Sequence, residues 1–357
     1  MTIRVLVVDD SPFVCRLLTS HLQSSSDFEV VGTALNGRRG VELAIELQPD
    51  VITLDLEMPE MDGLEALEQI MYEQPTPVVM ISGVSRKAAH ITLQALEAGA
   101  VDFILKYTPG VDTEPEALRQ EIISKVRAAA GIKVVRSIRP SKGRRRTLSD
   151  RIPERKTAVS RKPIIPEKIV SYLRNGVIVI GASTGGPVAV RELLAQLPAD
   201  FPAAIIVVQH IPASFTPVLA AQLNRRVAIS VKEAEAGDKL KAGQVIIAPG
   251  DFHLLVGPDS RVSLNQGPKI KGHRPSVDVT MQSVAQVYGS RTKGVILTGM
   301  GDDGSLGVIA IHAKGGQTFA QDGESCVVNG MPQRAIEKGV IDFVAPPQDI
   351  AEMLVRA

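Results

Sequence analysis

VLVVDDSPF, residues 5–13, is a short apolar run that ends on two adjacent carboxylates and then a Ser-Pro pair. A run of this length, rich in β-branched residues, reads as a buried strand. Ser-Pro directly after it supplies a helix N-cap and a first helical position. The same order of strand, turn and helix repeats downstream. Apolar runs recur at 3–8, 30–33, 51–54, 78–81 and 101–105, with amphipathic stretches between them such as 63–72 and 88–98. Five strands alternating with helices predict a doubly wound α/β domain with a parallel sheet over residues 1–125. From Val177 the pattern resumes, with apolar runs at 177–180, 204–208, 245–248 and 295–297 and helical patterns at 187–196 and 276–287. A second α/β domain, with a mostly parallel sheet, is expected over 173–357.

Between the two lies a segment of different character. Thirteen Lys/Arg and three acidic residues fall within 132–168, with Pro140, Pro153, Pro163 and Pro166 and no apolar periodicity. The reading is a basic flexible linker over 126–172. The whole chain of 357 residues carries a net charge of only +1, so the basic excess is local. A nucleic-acid-binding arm is the rival, but aromatics do not interleave these charges and the C-terminal half offers no helix-turn-helix. No nucleic-acid partner is expected. Two cysteines, Cys15 and Cys326, cannot build a disulfide framework, and neither sits in a CxxC pair; a reducing compartment without structural zinc follows. No apolar run approaches the ~18–20 residues that span a bilayer, and the N-terminus does not read as a signal peptide. A cytoplasmic protein without membrane insertion is expected. At 44% hydrophobic residues, the chain has enough apolar surface to offset its entropy, which excludes disorder over most of its length.

The turns after the first-domain strands carry the chemistry. Asp9 and Asp10 follow strand one, and Asp55 follows strand three. In an open parallel sheet, neighbouring strand ends gather at the carboxyl edge, where ligands bind. Three carboxylates converging there call for a cation, and hard oxygen donors with room for water suit Mg²⁺. Ser82 ends strand four with a hydroxyl and Lys106 ends strand five with an ammonium. A carboxylate flanked by a metal, a hydroxyl and an ammonium is a phosphoryl-acceptor site. Residues 1–125 resemble a response-regulator receiver domain through VLVVDDSPF, DLEMPEMDG (55–63), MISG (80–83) and DFILK (102–106). The resemblance implies a flavodoxin-like fold of five parallel strands, with Asp55 as the phosphate acceptor. It implies Mg²⁺ held by Asp10, Asp55 and the backbone carbonyl of Glu57, with Asp9 nearby. It further implies a switch built from Ser82, Phe103 and Lys106, and a histidine kinase as phosphodonor. One departure stands out: Tyr107 follows Lys106 where the family places a proline, and the proline comes at 109.

In the second domain, IVIGASTGGP (178–187) sets G-x-S-x-G between a strand and a helix. That is the context of a nucleophile elbow, with Ser183 turned out at the sheet's carboxyl edge. A glycine-rich anion cradle at the helix N-terminus is an equal reading of this segment alone; the absence of a following Lys excludes a P-loop. Other segments break the tie. Strand 204–208 runs into Gln209-His210-Ile211-Pro212, and strand 295–297 runs through Thr298 into GMGDDG (299–304), which carries Asp302 and Asp303. Ser, His and Asp at three strand ends can assemble a general-base triad. The chain order Ser–His–Asp differs from that of the α/β-hydrolases. Among the other histidines, His253 is expected on a turn or hairpin, His273 in a substrate cleft, and His21, His90 and His312 on helix surfaces.

Nearly the whole chain resembles the chemotaxis protein-glutamate methylesterase and glutamine deamidase family. The matching stretches are GASTGGP, VVQHIP (207–212), APGDFH (248–253), RPSVDV (274–279), ILTGMGDDG (296–304) and AQDGESCVVNGMP (320–332). The resemblance implies Ser183 as nucleophile, His210 as base and Asp303, rather than Asp302, as the orienting acid. It places the oxyanion hole at the backbone N–H groups of Thr184 and Met300, whose side chains are incidental in this reading. The implied substrates are glutamate methyl esters and glutamines on methyl-accepting chemoreceptors, with no cofactor in the catalytic domain. The implied control is an unphosphorylated receiver covering the active-site edge. The alternative is a response regulator whose output domain binds a nucleotide or phosphate without hydrolysis.

Overall fold

A computed structural model describes residues 2–106, 115–132 and 176–356. The first sheet has five parallel strands in the order β2-β1-β3-β4-β5, formed by Ile3–Val8 (β1), Phe28–Ala34 (β2), Val51–Asp55 (β3), Val78–Ser82 (β4) and Asp102–Leu105 (β5). Helices Pro12–Gln23 (α1), Gly37–Leu47 (α2), Gly63–Glu73 (α3), Arg86–Glu97 (α4) and Pro115–Ala130 (α5) cover both faces. Ser11 caps α1 as its sequence implies, its hydroxyl accepting from the Val14 N–H. Asp62 and Ser85 cap α3 and α4 in the same way. The strands are apolar on both faces because helices bury both, so β3 and β4 have no exposed residue.

The second sheet has seven strands, parallel in every pairing, in the order β14-β13-β12-β6-β7-β9-β8. Its centre is Thr292–Ile296 (β12), Val177–Ala182 (β6) and Ala204–Gln209 (β7). The outer strands are Ser230–Glu233 (β8), Gln244–Ile247 (β9), Gln317–Gln321 (β13) and Phe343–Ala345 (β14). His253–Val256 (β10) and Val262–Asn265 (β11) form a separate antiparallel hairpin. Helices Gly186–Leu194 (α6), Thr216–Arg226 (α7), Val277–Tyr288 (α8), Ser305–Ala313 (α9), Met331–Ile336 (α10) and Pro347–Arg356 (α11) complete the layers. No helix among the described residues is long and apolar enough to cross a membrane.

Both sheets reverse their strand order at the place where the chemistry was expected. In the first, β1 sends the chain to β2 on one side and has β3 on the other. In the second, β6 is flanked by β7 and β12. Loops leaving such adjacent strands diverge and open a crevice at the carboxyl edge. Some expectations need correction. Helix α5 runs to Ala130, past the expected boundary at 125. Most of the expected linker, and the peptide after Lys106, fall outside the described residues. His90 is not on an open helix surface: it is half-buried and its Nδ1 lies 3.1 Å from the Gln222 amide of α7.

Candidate active site and its receiver

The Ser183 turn is held by its backbone. The Ser183 N–H donates to the Thr298 carbonyl at 3.0 Å, and its own carbonyl accepts from the Gly186 N–H and the Gln209 side chain, each at 2.8 Å. Ser183 keeps a negative φ; the left-handed residue is Gly185, at φ +75°. The strained position of an elbow is thus displaced two residues beyond the serine. A Cβ on Gly185 would also meet Val327 at 2.6 Å. The loop after β12 passes so close that a Cβ on Gly299 would lie 2.7 Å from that of Ser183.

His210 follows β7, and its Nε2 lies 2.9 Å from Asp303 Oδ2. Asp303 is the buried member of its pair. Asp302 is exposed and faces Lys271 at 2.9 Å. The Asp303 carboxylate accepts from the Ser276 hydroxyl and from the N–H groups of Val277, Asp278 and Gly304, at 2.7–3.1 Å. Two of those N–H groups open helix α8, whose dipole favours an anion there. Burial opposes ionisation of Asp303, but the His210 contact and these donors outweigh it and hold the carboxyl well below the usual range. An ionised Asp303 can only accept, so the His210 Nε2 carries the proton. The other nitrogen, Nδ1, is buried without a hydrogen-bond partner. Ser183 and His210 line one crevice. The Thr184 and Met300 N–H groups donate to no acceptor among the described residues.

The far wall of that crevice belongs to the first domain: Leu96, Asp102, Phe103 and Lys125 line it. Phe103 is turned inward, its ring stacked on that of Phe215 with centroids 4.6 Å apart. Two side chains read as incidental prove to be contact points. The Thr184 hydroxyl donates to Asp102 Oδ2 at 2.5 Å. The Ser124 hydroxyl lies 2.9 Å from the Met300 sulfur. Glu97 pairs with Arg226 and, at 3.7 Å, with Arg191. Sequence reasoning missed Asp102, Ser124 and Lys125. It also missed Gln209, although a glutamine closing an apolar strand beside a candidate base was a readable signal.

At the edge of the first sheet, one oxygen from each of Asp9, Asp10 and Asp55 falls within 4.8 Å of the others. Asp55 Oδ1 is buried and accepts no hydrogen bond. Lys106 Nζ lies 2.7 Å from Asp55 Oδ2 and 3.2 Å from Asp9 Oδ2. Burial, with Asp9 adding to it, pushes the Asp55 carboxyl up to about 6 despite the Lys106 hydrogen bond. Three converging carboxylates, Asp9 and Asp55 buried and Asp10 exposed, with Asp55 Oδ1 left without a partner, fit a divalent cation such as Mg²⁺. Glu57 is exposed just beyond β3. Ser82 is buried, and its hydroxyl lies 2.7 Å from that of Thr92 on α4.

An acidic pocket at one switch point and a Ser/His/Asp arrangement at another define a response regulator whose output domain is a hydrolase built on a parallel α/β sheet, distinct from the α/β-hydrolase fold. Residues 5–120 match the model of the response regulator receiver domain, and residues 178–354 match that of the CheB methylesterase. A protein-glutamate methylesterase/protein-glutamine glutaminase of Symbiobacterium thermophilum is 44% identical over 99% of this chain and 97% of its own length. One of Thermotoga maritima is 43% identical over 99% and 98%. The crystal structure of the Thermotoga maritima CheB methylesterase catalytic domain matches 51% of this chain and 97% of its own, at 46% identity and a TM-score of 0.50. The chain belongs to the protein-glutamate methylesterase/protein-glutamine glutaminase family.

Proposed function

We propose that this chain demethylates glutamate methyl esters, and deamidates glutamines, on methyl-accepting chemoreceptors in chemotaxis adaptation. The reaction uses Ser183 as nucleophile and is switched on by phosphorylation of Asp55. The observation that carries the reading is the hydrogen bond from His210 Nε2 to the ionised Asp303, which leaves Nδ1 as a bare, buried base in the crevice that Ser183 lines. In the general Ser-His-Asp template the acid holds Nδ1 and the base works through Nε2; here the ring is presented the other way round. His210 Nδ1 takes the Ser183 proton as the hydroxyl attacks the ester carbonyl. The Thr184 and Met300 N–H groups receive the developing oxyanion. The imidazolium returns its proton to the departing methanol, and the same base then activates water against the acyl-serine. Glutamine amides follow the same route and release ammonia. The cytoplasm, where receptor signalling helices lie, is the expected compartment.

The receiver's role follows from what it grips. Both oxyanion residues are held through their side chains by the first domain, Thr184 by Asp102 and Met300 by Ser124. Phe103, locked against Phe215, closes the same wall. When bound by Asp9, Asp10, Asp55 and the Glu57 carbonyl, Mg²⁺ supplies charge neutralisation for the incoming phosphoryl group. Lys106 orients that group, and Ser82 leaves Thr92 to meet it. The histidine kinase of the receptor complex is the proposed phosphodonor.

Two expected results test this control. Asp55→Asn keeps its basal methanol release but gains nothing from a small-molecule phosphodonor; a response equal to that of the unmodified chain would exclude Asp55 as the acceptor. Asp102→Ala removes a charge-assisted contact, which at about 1.5 kcal/mol corresponds to roughly tenfold in equilibrium. Its basal release rises about tenfold towards the activated level, and the further gain from phosphodonor shrinks in proportion. Unchanged basal release would show that this contact does not hold the closed arrangement.

A further inference from the structure

The proposed triad makes no use of APGDFH (248–253), nor of the part of KGHRPSVDV (271–279) that precedes Ser276. The structure gives both one purpose. His210 is fixed at a single atom, Nε2, by Asp303, while Nδ1 has no partner. One hydrogen bond leaves a ring free to swing about it. The second constraint is the ring of His273, which lies flat on that of His210 with centroids 3.9 Å apart and planes within 5°.

The loop that carries His273 is pinned on every side. His273 and Ile270 exchange backbone hydrogen bonds at 2.9 and 3.0 Å. Lys271 and Gly272 take left-handed φ values of +51° and +84° at the tip. Lys271 Nζ then ties the tip to Asp278 at 3.2 Å and to Asp302 at 2.9 Å. Arg274 clamps Asp251 and the carbonyls of Gln266 and Gly267. His253 accepts from the Ser276 N–H and lies 3.0 Å from the Pro268 carbonyl. So much anchoring for one short turn makes sense if the position of its inward ring matters.

We propose that His273 is a positioning residue for the base: its neutral ring fixes the plane in which His210 presents Nδ1 to Ser183. The proposal rests on the function proposed above. The groups that face His273 are His210, Asp303, Lys125 from the receiver's α5 and Lys269 from its own loop. Burial first, and then the neighbouring His210, hold the His273 imidazole down at about 4. It therefore stays neutral when His210 gains its proton, so the charge meets an aromatic face rather than a second cation.

The test uses the full-length chain with a phosphodonor, with methanol release read as kcat and KM across pH. His273→Ala lowers kcat about tenfold with KM nearly unchanged, as expected when a catalytic group loses its alignment. His273→Phe, which keeps a flat uncharged ring, recovers most of that loss. His273→Arg puts a fixed cation beside the base and moves the acidic limb of kcat/KM to lower pH by about one unit. A purely structural role would lower the active fraction without separating Phe from Ala or moving the limb. Phe no better than Ala, or an unmoved limb in His273→Arg, overturns the proposal even if Ala fails to fold. Full release by Ser183→Ala overturns the serine mechanism and this proposal with it. Release lost in Ser183→Ala, together with wild-type behaviour in the His273 series, overturns this proposal alone.

Discussion

Ser183→Ala is expected to lower methanol release from methylated receptor membranes by ~10⁴-fold or more, the usual loss when a triad nucleophile is removed. Ammonia release from receptor glutamines should fall in step, because both reactions pass through the same acyl-serine. The substitution is a clean probe because the turn is held by main-chain contacts that it leaves alone. The Ser183 N–H stays on the Thr298 carbonyl, and the Ser183 carbonyl stays on Gly186 and Gln209. Stability should change by no more than about 0.5 kcal/mol, so a matched unfolding curve separates lost chemistry from lost structure. The receiver should dock as before, since Thr184 and Met300 are untouched. Release within tenfold of the unmodified chain would mean that the alcohol is not the nucleophile and would favour a binding role for this loop.

The proposed Ser/His/Asp set was readable because strand ends carry it. Ser183, His210 and Asp303 follow β6, β7 and β12, which are adjacent in the sheet, and a parallel sheet delivers such ends to one edge. Asp9, Asp55 and Lys106 were readable for the same reason. The tight turn of AQDGESCVVNGMP, by contrast, could be quoted but not placed. The outer strands β8, β13 and β14 are only three to five residues long, and the separate hairpin β10–β11 is four residues a side. The domain contact left almost no trace in sequence. Asp102 interrupts an apolar run, as many strand-end acids do, and Ser124 looks like an ordinary helix position. What gives them meaning is the docking of one domain on the other, which no local pattern encodes. Thr184 and Met300 show the limit from the other side. Their proposed backbone role came from the family resemblance, while the contacts of their side chains depend on the receiver face opposite.

Asp303→Asn is expected to cost about 10⁴-fold in kcat, and the hydrogen-bond network explains how. Oδ1 accepts from Ser276 Oγ, Asp278 N and Gly304 N; Oδ2 accepts from Val277 N and His210 Nε2. Every neighbour is a donor. A carbamoyl group has one oxygen, and three donors against two will keep that oxygen on the Oδ1 side. The amide nitrogen then faces the Val277 N–H and His210. To accept from that nitrogen, Nε2 must give up its proton, so the neutral ring carries its proton on Nδ1 instead. The nitrogen that should take the serine proton is then already protonated, with both rings still stacked. The clash with the Val277 N–H adds a stability loss of about 1.5–3 kcal/mol, the scale for breaking a hydrogen bond to a charged group in a buried site. Two measurements check this account. Nitrogen-labelled histidine spectra should show the His210 tautomer exchanged relative to the unmodified chain, and calorimetry should show a lower unfolding temperature. A variant with unchanged tautomer and kcat within tenfold would show that Asp303 only anchors the start of α8. In contrast, Asp302→Asn should change kcat by no more than a few-fold, because its exposed carboxylate reaches Lys271 and not the imidazole.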